Sequence, residues 1–214
     1  NPGITACGTG VRYKLKKIVN ESANGAAESV SSLEELEKKV SACKKCDLHI
    51  SRKNTVFGKG SDKIKLVIIG EAPGAEEDEK GEPFVGRAGQ LLTKMLTAID
   101  INRDDIFICN VLKCRPPGNR DPLPEEIAKC SVYLDMQLEF LKPDYILALG
   151  RIAAMRLLGK QSTMKEFREG THSYKNIPVL VTYHPSALLR NPNWKYPAWD
   201  DLKRLKELLE GRNE

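Results

Sequence analysis

No stretch of this chain approaches the roughly eighteen consecutive apolar residues a membrane-spanning helix needs, which argues against a membrane span. The N-terminus carries no signal-peptide pattern, and the chain starts at Asn1, so a processed or truncated start is compatible with it. Aromatic residues are sparse at 6%, and there are only three histidines: His49, His172 and His184. Charge of one sign is also scarce. A net +5 tolerates a polyanionic partner without demanding one. Without a secretory context, six cysteines do not read as a disulfide framework.

Four short runs are continuously apolar: "LVIIG" from Leu66, "IFICNVL" from Ile106, "YILALG" from Tyr145 and "VLVTY" from Val179. Unbroken hydrophobicity marks strands buried on both faces, as in a parallel sheet covered by helices. Helical patterns separate them at 87–99, 124–141 and 151–158, and a last one covers 199–209. The alternation predicts a three-layer α/β/α sandwich with a four-stranded parallel sheet. Residues 1–31 read as a flexible N-terminal extension and 32–214 as one domain, opened by a capping box at "SLEE". Ligands of such folds bind outside the carboxyl ends of the strands. Here those ends are "GEAPGAEED", Asn110 with the Cys114 loop, Gly150-Arg151 and "YHPSALLR".

Cys43-x-x-Cys46 closes the first helix, and Cys114 and Cys130 flank the loop after the second strand. Two thiolate pairs suit zinc or an iron–sulfur cluster. The wide second spacing favours the cluster. Cys109 lies within an apolar strand and reads as a small hydrophobe, and Cys7 falls in the extension. "GEAPG" invites a phosphate-loop reading, but Glu71, Glu76, Glu77, Asp78 and Glu79 would repel a pyrophosphate. Asn110 breaks an apolar strand; it is either a structural cap or a carboxamide that reads a base edge. His184 ends a buried strand, where it can donate to a developing anion. The leucines of "SALLR" are either core anchors or a wedge.

"GEAPGAEEDEKGEPFVGRAGQLL", "NVLKCRPPGNRDPLPEE" and "HPSALLR" together resemble the family 4, iron–sulfur uracil-DNA glycosylases, from about Leu33 to the C-terminus. The resemblance implies a sheet order of 2-1-3-4 and a [4Fe-4S] cluster on Cys43, Cys46, Cys114 and Cys130. It implies removal of flipped uracil from DNA by hydrolysis, leaving an abasic site in base excision repair. A non-catalytic iron–sulfur protein that binds uracil or damaged DNA is the alternative. Phe84 would stack on uracil, Asn110 would bond its polar edge, and Gly70 and Ala72 would complete the uracil pocket. His184 would donate to uracil O2, and Leu188 would enter the duplex.

Ala72 stands where the best-known branch of the superfamily has an Asp, so water activation either falls to another group, with Glu71 the candidate, or needs little help. Glu77 is expected to exclude the thymine methyl. A related branch that traps DNA covalently has a histidine where this chain has "RPPGNRDP", so no covalent trapping is expected. Arg87, Lys113, Arg115, Arg120, Ser186 and Arg190 are expected at the DNA surface, the loop cations on a rim that the cluster orders. The expected partner is uracil-containing DNA, single- or double-stranded, met by a monomer in the cytoplasm at the nucleoid. Contact with a sliding clamp or another repair protein is not legible in these residues.

Overall fold

A computed structural model describes residues 30–61 and 65–211; most of the expected N-terminal extension, Cys7 included, lies outside them. The first helix, α1 (Leu33–Ser41), is capped by Ser32, whose hydroxyl accepts from the Glu35 amide at 3.2 Å. The Glu35 carboxylate bonds Ser31 rather than closing the capping box on Ser32. After α2 (Leu48–Ser51) and β1 (Lys59–Gly60) comes the first long strand, β2 (Leu66–Gly70). The chain continues through α3 (Ala75–Lys80), α4 (Arg87–Thr97), β3 (Phe107–Asn110) and α5 (Pro124–Leu141). It then forms β4 (Tyr145–Leu149), α6 (Arg151–Leu158), α7 (Met164–Glu169), β5 (His172–Tyr174) and β6 (Ile177–Thr182). Two helices finish it: α8 (Pro185–Arg190) and α9 (Lys195–Glu210).

The sheet runs β1-β3-β2-β4-β6-β5. Its inner four strands are parallel and have the expected 2-1-3-4 order, with Gly70 opposite Asn110. The expected count of four is corrected to six, because β1 and β5 add antiparallel edges. Both are short and polar: Lys59 and Gly60 are exposed, and β5 reads His-Ser-Tyr. Edge strands that face water carry no continuous apolar run to announce them.

Successive residues of the inner strands feed opposite layers. Val67 and Ile69 of β2 and Ile146 and Ala148 of β4 pack with α1, α5, α6 and α7. Leu66, Ile68, Leu147 and Leu149 pack with α4, α8 and α9 on the other face. This alternation is the period-two geometry of a strand, buried twice over. No helix among the described residues is long and apolar enough to cross a membrane.

"SALLR" is not a loop but the body of α8, with His184 at the N-cap and Pro185 in the first turn. Three residues apart, Pro185 and Leu188 share its inward face, so Leu188 is a core residue at 1% exposure while Leu189 is 40% exposed. The expectation that Leu188 wedges into DNA is therefore corrected: helical periodicity turns that leucine inward and its neighbour outward. Leu188→Ala should destabilise the protein by about 2–5 kcal/mol in denaturant unfolding. Leu189→Ala should stay within about 0.5 kcal/mol of wild type.

Candidate functional site

All four inner strands end at one edge, and their carboxyl ends line a single open cleft of about 1350 Å³. Glu71, Ala72, Pro73 and Gly74 come from the end of β2, Asn110 from β3, Gly150 and Arg151 from β4, and Tyr183 and His184 from β6. Phe84 and Glu77 reach it from the segment between β2 and α4.

At the floor, Gly70 is required by close approach. A Cβ there would lie 2.4 Å from Asn110 Oδ1 and 2.6 Å from Phe84 Cζ. Phe84 itself holds a left-handed backbone (φ 52°), an uncommon conformation for a bulky residue, and its ring lies 5.6 Å from that of His184. Helix α4 secures that bend from behind, because Gly89 lets the helix backbone approach the Phe84 carbonyl. Glu77 supplies the other restraint. Its Oε1 accepts from the amides of Val85 and Gly86 at 3.0 and 2.9 Å, at the N-terminus of α4. The geometry thus gives Glu77 a positioning job on the Phe84 segment, beside the expected exclusion of the thymine methyl.

Asn110 is 1% exposed, and its Oδ1 has no hydrogen-bond partner among the described residues. A buried acceptor without a donor costs about 1–3 kcal/mol, so this oxygen calls for a ligand N–H.

His184 lies opposite. The Ser186 amide donates to its Nδ1 at 3.2 Å, and the Ser186 hydroxyl is 2.8 Å from the same atom. Burial first, then the Arg190 charge, lowers the pKa of His184 to about 4. The ring is therefore neutral at physiological pH. Because a backbone N–H can only donate, Nδ1 is the acceptor and the proton sits on Nε2. Ser186, expected at the DNA surface, instead sets this tautomer.

Glu71 is half-buried. Desolvation and the nearby Asp121 raise its pKa to about 7, against the opposing pull of Arg151 and Arg190. Arg190 and Arg120 line the cleft on its exposed side. Arg120 is fork-bonded to the buried Glu126 at 2.9 and 2.6 Å, and Arg115 donates to Asn119 at 2.8 Å. Arg87 is exposed at the first position of α4, next to the cleft-lining Ala88.

Lys113 is a correction. It was expected on the rim, but it is 1% exposed, and its ammonium donates to the Asn110 carbonyl at 2.7 Å and to Gln137 at 2.5 Å. Gln137 in turn donates to the Phe57 carbonyl at 2.9 Å. The lysine braces the end of β3 from behind, where no phosphate can reach it.

A second, much smaller cavity lies behind the same loop. Cys43, Cys46, Cys114 and Cys130 line it together with Val40, Lys113 and Tyr133. Burial raises the pKa of Cys46, Cys114 and Cys130, the last to about 11. Donors already point at the sulfurs: the Lys113 amide to Cys130 at 3.3 Å, the Lys45 amide to Cys43 at 3.5 Å, and Arg52 to Cys114 at 3.1 Å. Among the described residues, no three histidine, cysteine or carboxylate side chains are grouped to hold one metal ion. Cys109 is fully buried in the core, as expected.

Arg151, expected at the end of the third strand, and Trp194, which the sequence did not single out, also line the cleft. Arg151 begins α6, and Trp194 stacks on Tyr183 at 4.9 Å and 18°. The stack was foreseeable only in part, since nothing in the local pattern says that α9 begins as early as Lys195 and brings Trp194 to this edge.

The Glu71 carboxyl should titrate with a midpoint near 7 when followed by carboxyl-carbon NMR. Arg151 and Arg190 both favour the charged form, so replacing either with Ala should move that midpoint upward.

A family model described as "Uracil DNA glycosylase superfamily" matches residues 57–203. The chain is 43% identical over 187 residues to the type-4 uracil-DNA glycosylase of Archaeoglobus fulgidus, covering 84% of this chain and 94% of that protein. Over 161 residues it is 45% identical to the type-4 uracil-DNA glycosylase of Thermotoga maritima, covering 74% and 84%. A type-5 uracil-DNA glycosylase of Pyrobaculum aerophilum is more distant, at 32% identity over 148 residues, covering 60% and 64%. The cleft with its unpartnered Asn110 oxygen and neutral histidine is thus found in a chain that belongs to the uracil DNA glycosylase superfamily and, within it, to the type-4 uracil-DNA glycosylases.

Proposed function

We propose that this protein removes uracil from DNA by hydrolysing its N-glycosidic bond, leaving an abasic site for repair. The observation that carries this reading at the level of residues is the unpartnered Oδ1 of Asn110, buried beside Phe84 at the cleft floor. A uracil seated there offers N3–H to that oxygen and O4 to the amide nitrogen of the same side chain. Stacking on Phe84 offsets part of the cost of unstacking the base, by about 1–3 kcal/mol.

Bond cleavage puts negative charge on the leaving base. The Nε2–H of a neutral His184 is a donor fixed in place before that charge develops. Positive charge develops on the sugar. Glu71, ionised above its raised pKa, is the carboxylate suited to favour that charge and to take a proton from the attacking water. Ala72 supplies no carboxylate, so this role falls to Glu71. Arg87, Arg120, Arg190 and Arg151 are the candidates for phosphate contacts, with Arg115 tied to its own loop. Leu189, exposed on α8, replaces Leu188 as the candidate to fill the space the base vacates.

The four cysteines suit a [4Fe-4S] cluster, with one thiolate for each iron. All four line one cavity, and the wide spacing of the second pair supports this reading over zinc. The N–H donors at three of the sulfurs suit thiolates that burial alone would keep protonated. A bound cluster would supply a cross-link between the Cys43–Cys46 segment, the Cys114 loop and α5. None of the chemistry above needs it as a reactant.

Incubation with uracil-containing oligonucleotides, followed by alkaline cleavage of abasic sites, tests the reaction directly. Release of uracil also separates it from a module that only binds damage. Asn110→Asp keeps the shape and the acceptor but removes the amide donor, and it should lower uracil release roughly a hundredfold without loss of fold. For the cofactor, anaerobically purified protein should carry about four irons per chain. Cys43→Ala should lower iron content and thermal stability together, and stoichiometric zinc in the wild type would exclude the cluster.

A further inference from the structure

One wall of the cleft is built more rigidly than the uracil pocket requires. The Trp194 indole stacks on Tyr183, and the Arg168 guanidinium lies 4.9 Å from the centre of the same Tyr183 ring. Arg168 is clamped in turn: it donates to both carboxylate oxygens of Asp201 at 2.7 and 2.9 Å, and to the Pro197 carbonyl at 2.7 Å. Asp201 also accepts from Thr182 at 2.6 Å, which ties the assembly to β6. Tyr183 and Trp194 are thus held from the sheet and from α9 before any ligand arrives. Yet Trp194 remains 40% exposed and borders the cleft.

Trp194 presents that surface to the cleft proposed to take the DNA strand. Arg190 and Arg151 share the wall, so a strand entering the cleft would bring its phosphates past cations and its bases past an indole. Cations that track the backbone beside an aromatic face that accepts any base are the recurring parts of single-strand binding sites. A base that is paired and stacked within a duplex gains little from such a face, whereas an unpaired one gains a stacking partner.

Resting on the uracil-excision reading, we propose that the open face of Trp194 stacks an unpaired base adjacent to the flipped uridine, making this cleft a reader of locally single-stranded DNA. The occupant is one nucleobase of the substrate strand, on either its 5′ or its 3′ side.

The chain has only two tryptophans, Trp194 and Trp199, so Trp199→Phe leaves Trp194 as the sole indole reporter. The probe is a short single-stranded oligonucleotide carrying one 2′-fluorinated deoxyuridine, whose glycosidic bond resists cleavage. Companion probes replace the base on one side or the other of that uridine with an abasic spacer. Emission of the Trp199→Phe protein should be quenched saturably by the full probe. One of the two spacers should weaken its binding about tenfold.

Trp194→Ala should bind the full probe about tenfold more weakly and be indifferent to that spacer, with Trp194→Phe in between. On a fully paired duplex, Trp194→Ala should stay within about twofold of wild type. Saturable binding without quenching, or equal spacer effects in wild type and Trp194→Ala, would overturn the proposal. Should Trp194→Ala fail to fold, quenching and spacer sensitivity in Trp199→Phe decide the matter alone. Release of uracil by wild type from an unmodified oligonucleotide is scored separately. If that release is present and the stacking signals are absent, only the Trp194 proposal fails; if release is absent, the glycosylase reading fails instead.

Discussion

The four parallel strands are buried on both faces, so their amides and carbonyls are satisfied within the sheet and the chain has to leave it at the same edge four times. Each exit frees one or two residues from ladder geometry, and those residues line the cleft: Glu71 after β2, Asn110 ending β3, Arg151 after β4 and His184 after β6. Bringing them to one edge needs no further device. Bringing them close does, and there the absence of a side chain at Gly70 matters, because Phe84 and Asn110 occupy the space a methyl group would fill.

The electrostatics of the cleft follow from partial burial next to cations. Desolvation acts on both titratable groups, and it acts in opposite chemical directions. It keeps His184 neutral far below physiological pH, which makes the ring a donor through Nε2 rather than a cation. It lifts Glu71 toward neutrality, where a carboxylate is a more effective base than at its usual pKa. Arg190 is linked to both groups and to the solvent, so substrate phosphates that engage it would also alter the field on Glu71 and His184.

Behind the cleft, the cysteine cavity, the buried Lys113 and Gln137 form a continuous support for the loop after β3. Lys113 joins the two sites physically. Its amide faces the Cys130 sulfur, while its ammonium holds the carbonyl of Asn110, whose side chain faces the cleft. Disorder in the cysteine region would therefore reach Asn110 through one lysine, the route by which the proposed cluster would affect the cleft without taking part in the reaction.

Much of this was legible from residue order. Continuous apolar runs identify the four inner strands, and the cysteine spacing and strand-end residues mark both sites, because these features depend on local pattern and on the rule that parallel strands share a carboxyl edge. The edge strands were not legible, since two or three polar residues facing water have no hydrophobic signature. Nor was the fate of individual side chains. "SALLR" contains two adjacent leucines, and only the N-cap of α8 at His184 turns Leu188 into the core and Leu189 outward. Lys113 looks like its basic neighbours in the sequence, yet Gln137, from the helix that begins at Pro124, provides an acceptor that makes its burial tolerable. Trp194 gains a role only when Arg168 and Asp201, thirty-three residues apart, close beneath Tyr183. Identity and spacing set which chemistry is present; packing between distant segments decided which copy of each residue reaches the cleft.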